Sequence, residues 1–428
     1  WVFMHRIIYS VIFYLALPVI IIRLLVRSLK VPAYRKRIGE RFALQPMPKE
    51  FAKSKLTLWI HAVSVGETAA SAPLVKELQR LYPDAQIVMT TMTPTGSDRV
   101  RMLFGGSVMH VYIPYDLPGA CNRFLDKYRP SLLILMETEL WPNLVHSCHH
   151  RGVKLLLANG RLSGKSATGY GRFATFTRSL LEKIDRIAAQ SAPDAQRFID
   201  LGANPEQVEV TGSLKFLVDV GEKEKQAYFC AIENMARPVL IAASTREGEE
   251  EKVLAAFKRC LAEIPSLLLV LIPRHPERFV KAGKLSEDEG FTTVRRSDGG
   301  VVEPNIQVVI GNSMGEMLDY YSVATIAFVG GSLVDTGCQN VLEPAAMGIP
   351  ILVGPSQYNF ATICKQLEHA GGLKTVQNEM ELAQGVSTLI ADERARQEMG
   401  ERGKQLVREN QNALPALMKL VAPLVSKP

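Results

Sequence analysis

Two α/β domains, each a doubly wound parallel sheet with helices on both faces, are the fold class that the sequence predicts. Three observations lead there. Short apolar runs alternate with helical patterns in two series, and glycine- or hydroxyl-rich loops follow run after run. A charged segment without strand signals, 217–237, separates the two series. The length of 428 residues agrees, because a single core rarely grows beyond ~250–300 residues.

The composition, 47% hydrophobic and 22% charged, is that of a folded protein and excludes a disordered chain. The net charge of +7 suits an anionic surface or substrate. With no RNP-like motif, zinc-finger spacing or long basic run, nucleic acid is not the expected partner. Six scattered cysteines form no CxxC pair, which argues against a zinc site or a disulfide framework and for a reducing compartment.

The chain opens with an uncharged run, Ile7–Ile22, bounded by Arg6 and Arg23. A signal peptide, a buried helix and a membrane anchor compete for it. A signal peptide needs a small-residue cleavage site, whereas here Arg23, Arg27, Lys30, Arg35, Lys36, Arg37 and Arg41 follow. Such a cluster marks the cytoplasmic flank of an anchor and attracts anionic headgroups. The expected organisation is an anchor with a basic flank (1–45), a first Rossmann-like domain (46–220), a linker (221–237), a second such domain (238–404) and a C-terminal helix (405–428) that packs back on the first domain.

In the first domain, strands are expected at Leu56–Ala62, Gln86–Thr90, Val108–Ile113, Leu132–Met136, Lys154–Ala158, Ile187–Gln190 and Val208–Thr211. Ligand loops in this architecture gather at the strands' carboxyl ends. Glu67 lies in the first such loop, Val63-Ser64-Val65-Gly66-Glu67; it is either a helix cap or a general base. Met92–Gly96 suits anion binding and N-capping equally. Glu137 to Asn143 sets two carboxylates, a tryptophan and a proline at a strand end, which suits sugar binding, although acids before a helix are common. Lys215, in Gly212–Phe216, is a surface lysine or a cation for developing negative charge.

In the second domain, strands are expected at Val239–Ala243, Leu267–Ile272, Val308–Ile310, Thr325–Val329 and Ile351–Val353. Arg274 and His275 follow one of them, as phosphate contacts or as partners of Glu277. Gly330-Gly331-Ser332 then opens a loop leading to Asn340–Glu343 at a helix start. Its glycines would let N–H groups approach a nucleotide phosphate, and Glu343 would accept ribose hydroxyls or complement the helix dipole.

Six segments in order, HAVSVGE (61–67), MTPTG (92–96), ETELWPN (137–143), GSLKF (212–216), PRHPER (273–278) and GGSLV…NVLEPAA (330–346), resemble the 3-deoxy-D-manno-octulosonic acid (Kdo) transferases of lipopolysaccharide biosynthesis. The resemblance implies a GT-B glycosyltransferase: two Rossmann-like domains, a crossing C-terminal helix and an N-terminal anchor. It further implies transfer of Kdo from CMP-Kdo to a hydroxyl of the lipid A precursor, at the cytoplasmic face of the inner membrane. By this likeness Glu67 is the general base of an inverting displacement, and Glu139 and Lys215 stabilise the transition state. Pro273, Arg274, Gly315, Glu316, Met317, Asn340, Val341, Leu342 and Glu343 match the CMP-binding segments. No DxD-type carboxylate pair is placed as a metal site, so neither metal nor cofactor is expected. The alternative is another membrane-associated GT-B enzyme with a different nucleotide sugar. Two departures stand out. Cys338-Gln339 replaces the usual Gly-His, adding a side chain where glycine could take positive φ, and Gly160 replaces the usual Ala.

Overall fold

A computed structural model describes residues 2–48, 51–218, 220–221, 226–299 and 302–425. Trp1 of the anchor segment, residues 222–225 of the expected linker and residues 426–428 of the tail lie outside these, as does the side chain of Lys30. The chain forms two units, one of residues 1–215 with 412–428 and the other of residues 216–411.

The first unit is built on a seven-stranded parallel sheet: β1 (Thr57–His61), β2 (Gln86–Thr91), β3 (Met109–Tyr112), β4 (Leu132–Met136), β5 (Lys154–Gly160), β6 (Arg186–Ala189) and β7 (Val208–Val210). The spatial order is β3-β2-β1-β4-β5-β6-β7, so the winding reverses between β1 and β4. The central strands are buried along their whole length, which is why they read as continuous apolar runs. On one face Trp59, Phe124 and Tyr128 stack with Leu133 and Leu155.

The second unit repeats the plan with β8 (Val239–Thr245), β9 (Leu268–Pro273), β10 (Thr293–Arg295), β11 (Val308–Ile310), β12 (Ile326–Val329), β13 (Ile351–Val353) and β14 (Leu373–Thr375). Here the order is β10-β11-β9-β8-β12-β13-β14, again all parallel, with the reversal between β8 and β12. The outer strands β10 and β14 were not expected from the sequence. Each is three residues long and partly exposed, so neither forms an apolar run.

Three boundaries differ from expectation. Most of the segment assigned to a linker belongs to the second unit: a helix at Ala227–Asn234 buries Phe229 and Ile232 against Val239, Ile241 and Tyr320. The tail is three helices, Glu379–Ala391, Glu393–Gln411 and Ala413–Val421. Residues 405–411 therefore continue a helix of the second unit, and only the last helix returns, packing on helix Ala72–Leu81 and on β6. Asn412, at the junction of these two helices, is where the chain passes back to the first unit.

The N-terminal run is one helix, Val2–Lys30, whose Met4–Leu29 stretch is long and apolar enough to cross a membrane. It is not free of the first unit. Phe13, Leu17 and Ile20 pack on Tyr115, Leu117 and Ala120, and the Ser10 hydroxyl donates to Asn143 Oδ1 at 3.2 Å. The opposite face exposes Ile8, Ile12, Leu15, Val19, Ile22 and Val26.

Candidate functional site

The reversal between β1 and β4 opens a crevice at the strands' carboxyl ends, the usual ligand position of a doubly wound sheet. The loop after β1 carries Glu67 and the loop after β4 carries Glu137 and Glu139. Ser64 caps helix Val65–Ala70 and accepts from the Glu67 N–H at 3.2 Å. Its hydroxyl donates to Glu67 Oε1 at 2.7 Å, while the Val63 N–H donates to Oε2 at 2.8 Å. This is a capping box displaced by one residue, the carboxylate taking the Val63 N–H and the Ser64 hydroxyl, so the cap reading of Glu67 is correct as far as it goes. The same carboxylate is buried, and burial pushes its pKa up against those two hydrogen bonds, with Glu137 and Glu139 adding to the rise. A cap alone calls for no such crowding of acids.

Glu139 is also raised, by burial first, while the Trp141 indole N–H donating at 2.8 Å to Oε2 opposes the shift and Glu137 adds to it. Trp141 stands edge-on to His61 with ring centroids 5.5 Å apart. Burial pushes His61 down to about 4, so the ring is neutral, with Nδ1 2.9 Å from Thr90 Oγ1. The Lys215 ammonium is paired with Glu137, not with Glu139. Glu137 holds φ at 58°, a conformation that non-glycine residues adopt only when the surroundings impose it. The sequence counts Glu137 among the two carboxylates of this strand end but assigns it no role beyond sugar binding; its pairing with Lys215 appears only in the structure. Asn159 fixes the Lys215 loop, its Oδ1 accepting from the Leu214 N–H at 3.0 Å.

In the second unit, Pro273 at the end of β9 and Arg274 just after it meet Gly315 and Met317 around one cavity of about 170 Å³, which Ser244 near the end of β8 also lines. Whole drug-sized ligands fill ~300–1,000 Å³, so this cavity takes one moiety of a ligand. His275 pairs with Arg246, and Arg278 forms a two-pronged bridge to the buried Glu250 at 3.0 and 2.9 Å. Arg274 is exposed; its backbone N–H donates to the Thr245 carbonyl at 3.0 Å, while its guanidinium has no hydrogen bond or ion pair among the described residues, so the alternative reading of a pair with Glu277 is not met. Glu316 instead turns to Arg296 at 3.1 Å. Asn340 donates to Glu343 Oε1 at 3.0 Å and accepts from the Leu342 N–H, also at 3.0 Å. Burial raises the Glu343 pKa. The side chains of Val341 and Leu342 are core, packed with Cys338, Ile351 and Val353, which leaves only their backbone for a ligand.

The glycine-rich loop does not do what its sequence suggests. The N–H groups of Gly331, Ser332 and Leu333 donate to the carboxylate of buried Glu249 at 2.6, 2.9 and 2.8 Å, and the Arg246 N–H adds a fourth bond at 3.1 Å. A phosphate cannot use donors already held by a carboxylate. Gly330 is required for a different reason: a Cβ there would stand 2.7 Å from the Thr245 Cα, so glycine lets β12 approach β8. At the departure from the usual Gly-His, the positive φ falls on Gly337 (76°) and not on Cys338, whose backbone is ordinary. The Cys338 side chain is buried, with its sulfur 3.6 Å from that of Cys364.

Comparison with known proteins places this geometry. The family described as 3-deoxy-D-manno-octulosonic-acid transferase (kdotransferase) matches residues 36–218, and glycosyl transferases group 1 matches residues 244–406. A 3-deoxy-D-manno-octulosonic acid transferase of Haemophilus influenzae is 38% identical, over 99% of this chain and 100% of its own length. The chain belongs to the Kdo transferase family. A relative of the same name from Bordetella pertussis is 37% identical over 85% of each chain. Acinetobacter baumannii MurG superposes with a TM-score of 0.54 at 14% identity, covering 86% of this chain and 99% of its own, and shares the fold alone. The transferase thus has the GT-B plan of two parallel α/β units that its motifs imply.

Proposed function

We propose that the transferase moves Kdo from CMP-Kdo to a hydroxyl of the lipid A precursor, in a single inverting displacement with Glu67 as general base. The observation that carries this reading is the buried, raised Glu67 carboxylate among Glu137 and Glu139 at the reversal of the first sheet. A base whose pKa lies nearer the working pH combines the ionised form with useful proton affinity. The acceptor oxygen attacks the anomeric carbon as its proton passes to Glu67. The bond from that carbon to the CMP phosphate breaks, and its electron pair leaves with the phosphate. Glu139 faces the positive charge that develops on the sugar, and Lys215, steadied by Glu137, neutralises the donor's carboxylate.

The second unit supplies the nucleotide site in this reading. The Arg274 guanidinium, free of partners among the described residues, meets the leaving phosphate, and the cavity beside Gly315 and Met317 takes the base. Asn340 and Glu343 serve the ribose. Arg274→Ala is expected to weaken CMP binding by roughly 10–100-fold, as loss of a charge-assisted contact does, with Tm unchanged. Calorimetric titration with CMP checks it, and wild-type affinity would exclude Arg274 from the site.

With Arg274 as the fixed cation at the leaving phosphate, transfer needs no metal in this reading; turnover is expected to persist in excess EDTA, and a loss restored by Mg²⁺ would refute that. The apolar N-terminal helix holds the enzyme to inner-membrane lipids at the cytoplasmic face, with its arginines toward the headgroups. Incubation with CMP-Kdo and the lipid A precursor, followed by mass measurement of the product, tests the whole reading. Transfer from a uridine nucleotide sugar but not from CMP-Kdo would replace it.

A further inference from the structure

A second cavity, of about 380 Å³, lies inside the first unit, where the N-terminal helix crosses it. Its walls are of two kinds. Phe13, Ile20 and Met92 are apolar, and Arg23, Arg27 and Arg41 are cationic. Arg41 is 2% exposed, yet no carboxylate among the described residues pairs with it. Its guanidinium lies 4.5 Å from the Tyr112 ring centroid, Nη2 donates to the Met92 carbonyl at 3.0 Å, and Nε is buried without a partner. Arg23 and Arg27 are exposed and likewise have no acid beside them among the described residues. A buried cation without a counter-charge is costly, and two more cations at the same cavity raise that cost. An anion relieves it.

The cavity's place in the fold says which anion. Met92 follows β2, next in the sheet to β1, whose loop carries Glu67. The helices that open from these two loops, Pro94–Phe104 and Val65–Ala70, are in contact. An occupant therefore reaches the acceptor side of the reaction within one loop's breadth of the base.

We propose that this cavity is an acceptor subsite, in which a phosphate of the acyl glycolipid sits among Arg23, Arg27 and Arg41 while an acyl chain lies against Phe13, Ile20 and Met92. The assignment rests on the function proposed above. The N-terminal helix then serves recognition as well as attachment: its packed face builds half of a substrate site. Glu67 and the cavity together fix which hydroxyl of the glycolipid is presented to the donor.

The test compares the full-length enzyme with its R23Q/R27Q variant in detergent micelles, using the lipid A precursor with and without its phosphates. Both arginines are exposed, so Tm should not move, and Arg41 is left intact to protect folding. The variant should show a KM for the phosphorylated acceptor raised about tenfold or more, the order of one or two charge-assisted hydrogen bonds. Its kcat and its KM for CMP-Kdo should stay within about twofold, and its preference for the phosphorylated acceptor should disappear. An unchanged acceptor KM overturns the proposal. So does an equal loss on the dephosphorylated acceptor, which would mean general damage. Co-sedimentation with phosphatidylglycerol vesicles separates the two sources of lipid phosphate. Lost vesicle binding with wild-type acceptor KM in micelles gives the cavity to a bilayer lipid and overturns the proposal. If the wild-type enzyme transfers no Kdo to either acceptor, the functional reading fails, and this ligand with it.

Discussion

Glu67→Gln is expected to lower kcat by about 10²–10⁴-fold, the usual contribution of a general base, while CMP affinity stays at the wild-type value. The choice of Gln matters because Glu67 has two jobs. Gln can keep the cap, its amide oxygen accepting from the Val63 N–H while its amide nitrogen donates to the Ser64 hydroxyl in place of the present reverse bond. Gln cannot take a proton from the acceptor. Glu67→Ala removes both functions and should also lose about 1 kcal/mol of stability with the cap. Steady-state kinetics beside thermal unfolding separates the two. Wild-type turnover in the Gln variant would leave Glu67 a cap and nothing more.

The pH profile follows from the same carboxylate. Burial raises the Glu67 pKa, and only the ionised form accepts a proton. As pH falls through this raised pKa, Glu67 protonates and kcat drops, on an acid limb above the ordinary carboxylate range. The sign for stability is opposite. The folded state holds the proton more tightly than the unfolded chain. The favourable contribution is therefore full below the unfolded carboxylate pKa and is lost as pH rises through the folded one.

Glu249→Ala should unfold the second unit more readily than a typical core substitution. Four backbone N–H groups, those of Arg246, Gly331, Ser332 and Leu333, donate to one carboxylate that is fully buried. Each donor left unsatisfied costs about 1–3 kcal/mol, so a loss of about 3–5 kcal/mol is expected, allowing for relaxation and entering water. Urea unfolding of the full chain, followed by a probe in the second unit, measures it. Glu249→Gln should recover little, because an amide nitrogen would face those N–H groups. A loss under about 1 kcal/mol would show that the loop is held by other contacts.

Much of this architecture is legible residue by residue. Leu132–Met136, Val308–Ile310 and Ile351–Val353 are strands with the bounds that their apolar runs suggest, because a central strand of a parallel sheet is buried on both faces. Edge strands have no such signature, and β10 and β14 are visible only through their pairing with β11 and β13. Boundaries set by packing are equally hidden. Helix Ala227–Asn234 sits in a segment that reads as a charged connector until Phe229 and Ile232 meet the core.

The site divides in the same way. The loops carrying Glu67, Glu139, Lys215 and Arg274 follow from local pattern and motif, since a strand-to-helix turn and its polar residues lie together in the chain. Their partners do not. Lys215 meets Glu137 across 78 positions, and Glu249 reaches Gly331 across 82. Local sequence encodes which groups are present and roughly where each loop begins, because those depend on nearest-neighbour chemistry. Which cation neutralises which acid, and whether the Gly330–Ser332 amides remain open to a ligand, depends on burial and distance between segments far apart in the chain. Those quantities exist only after the two sheets have closed over their cores.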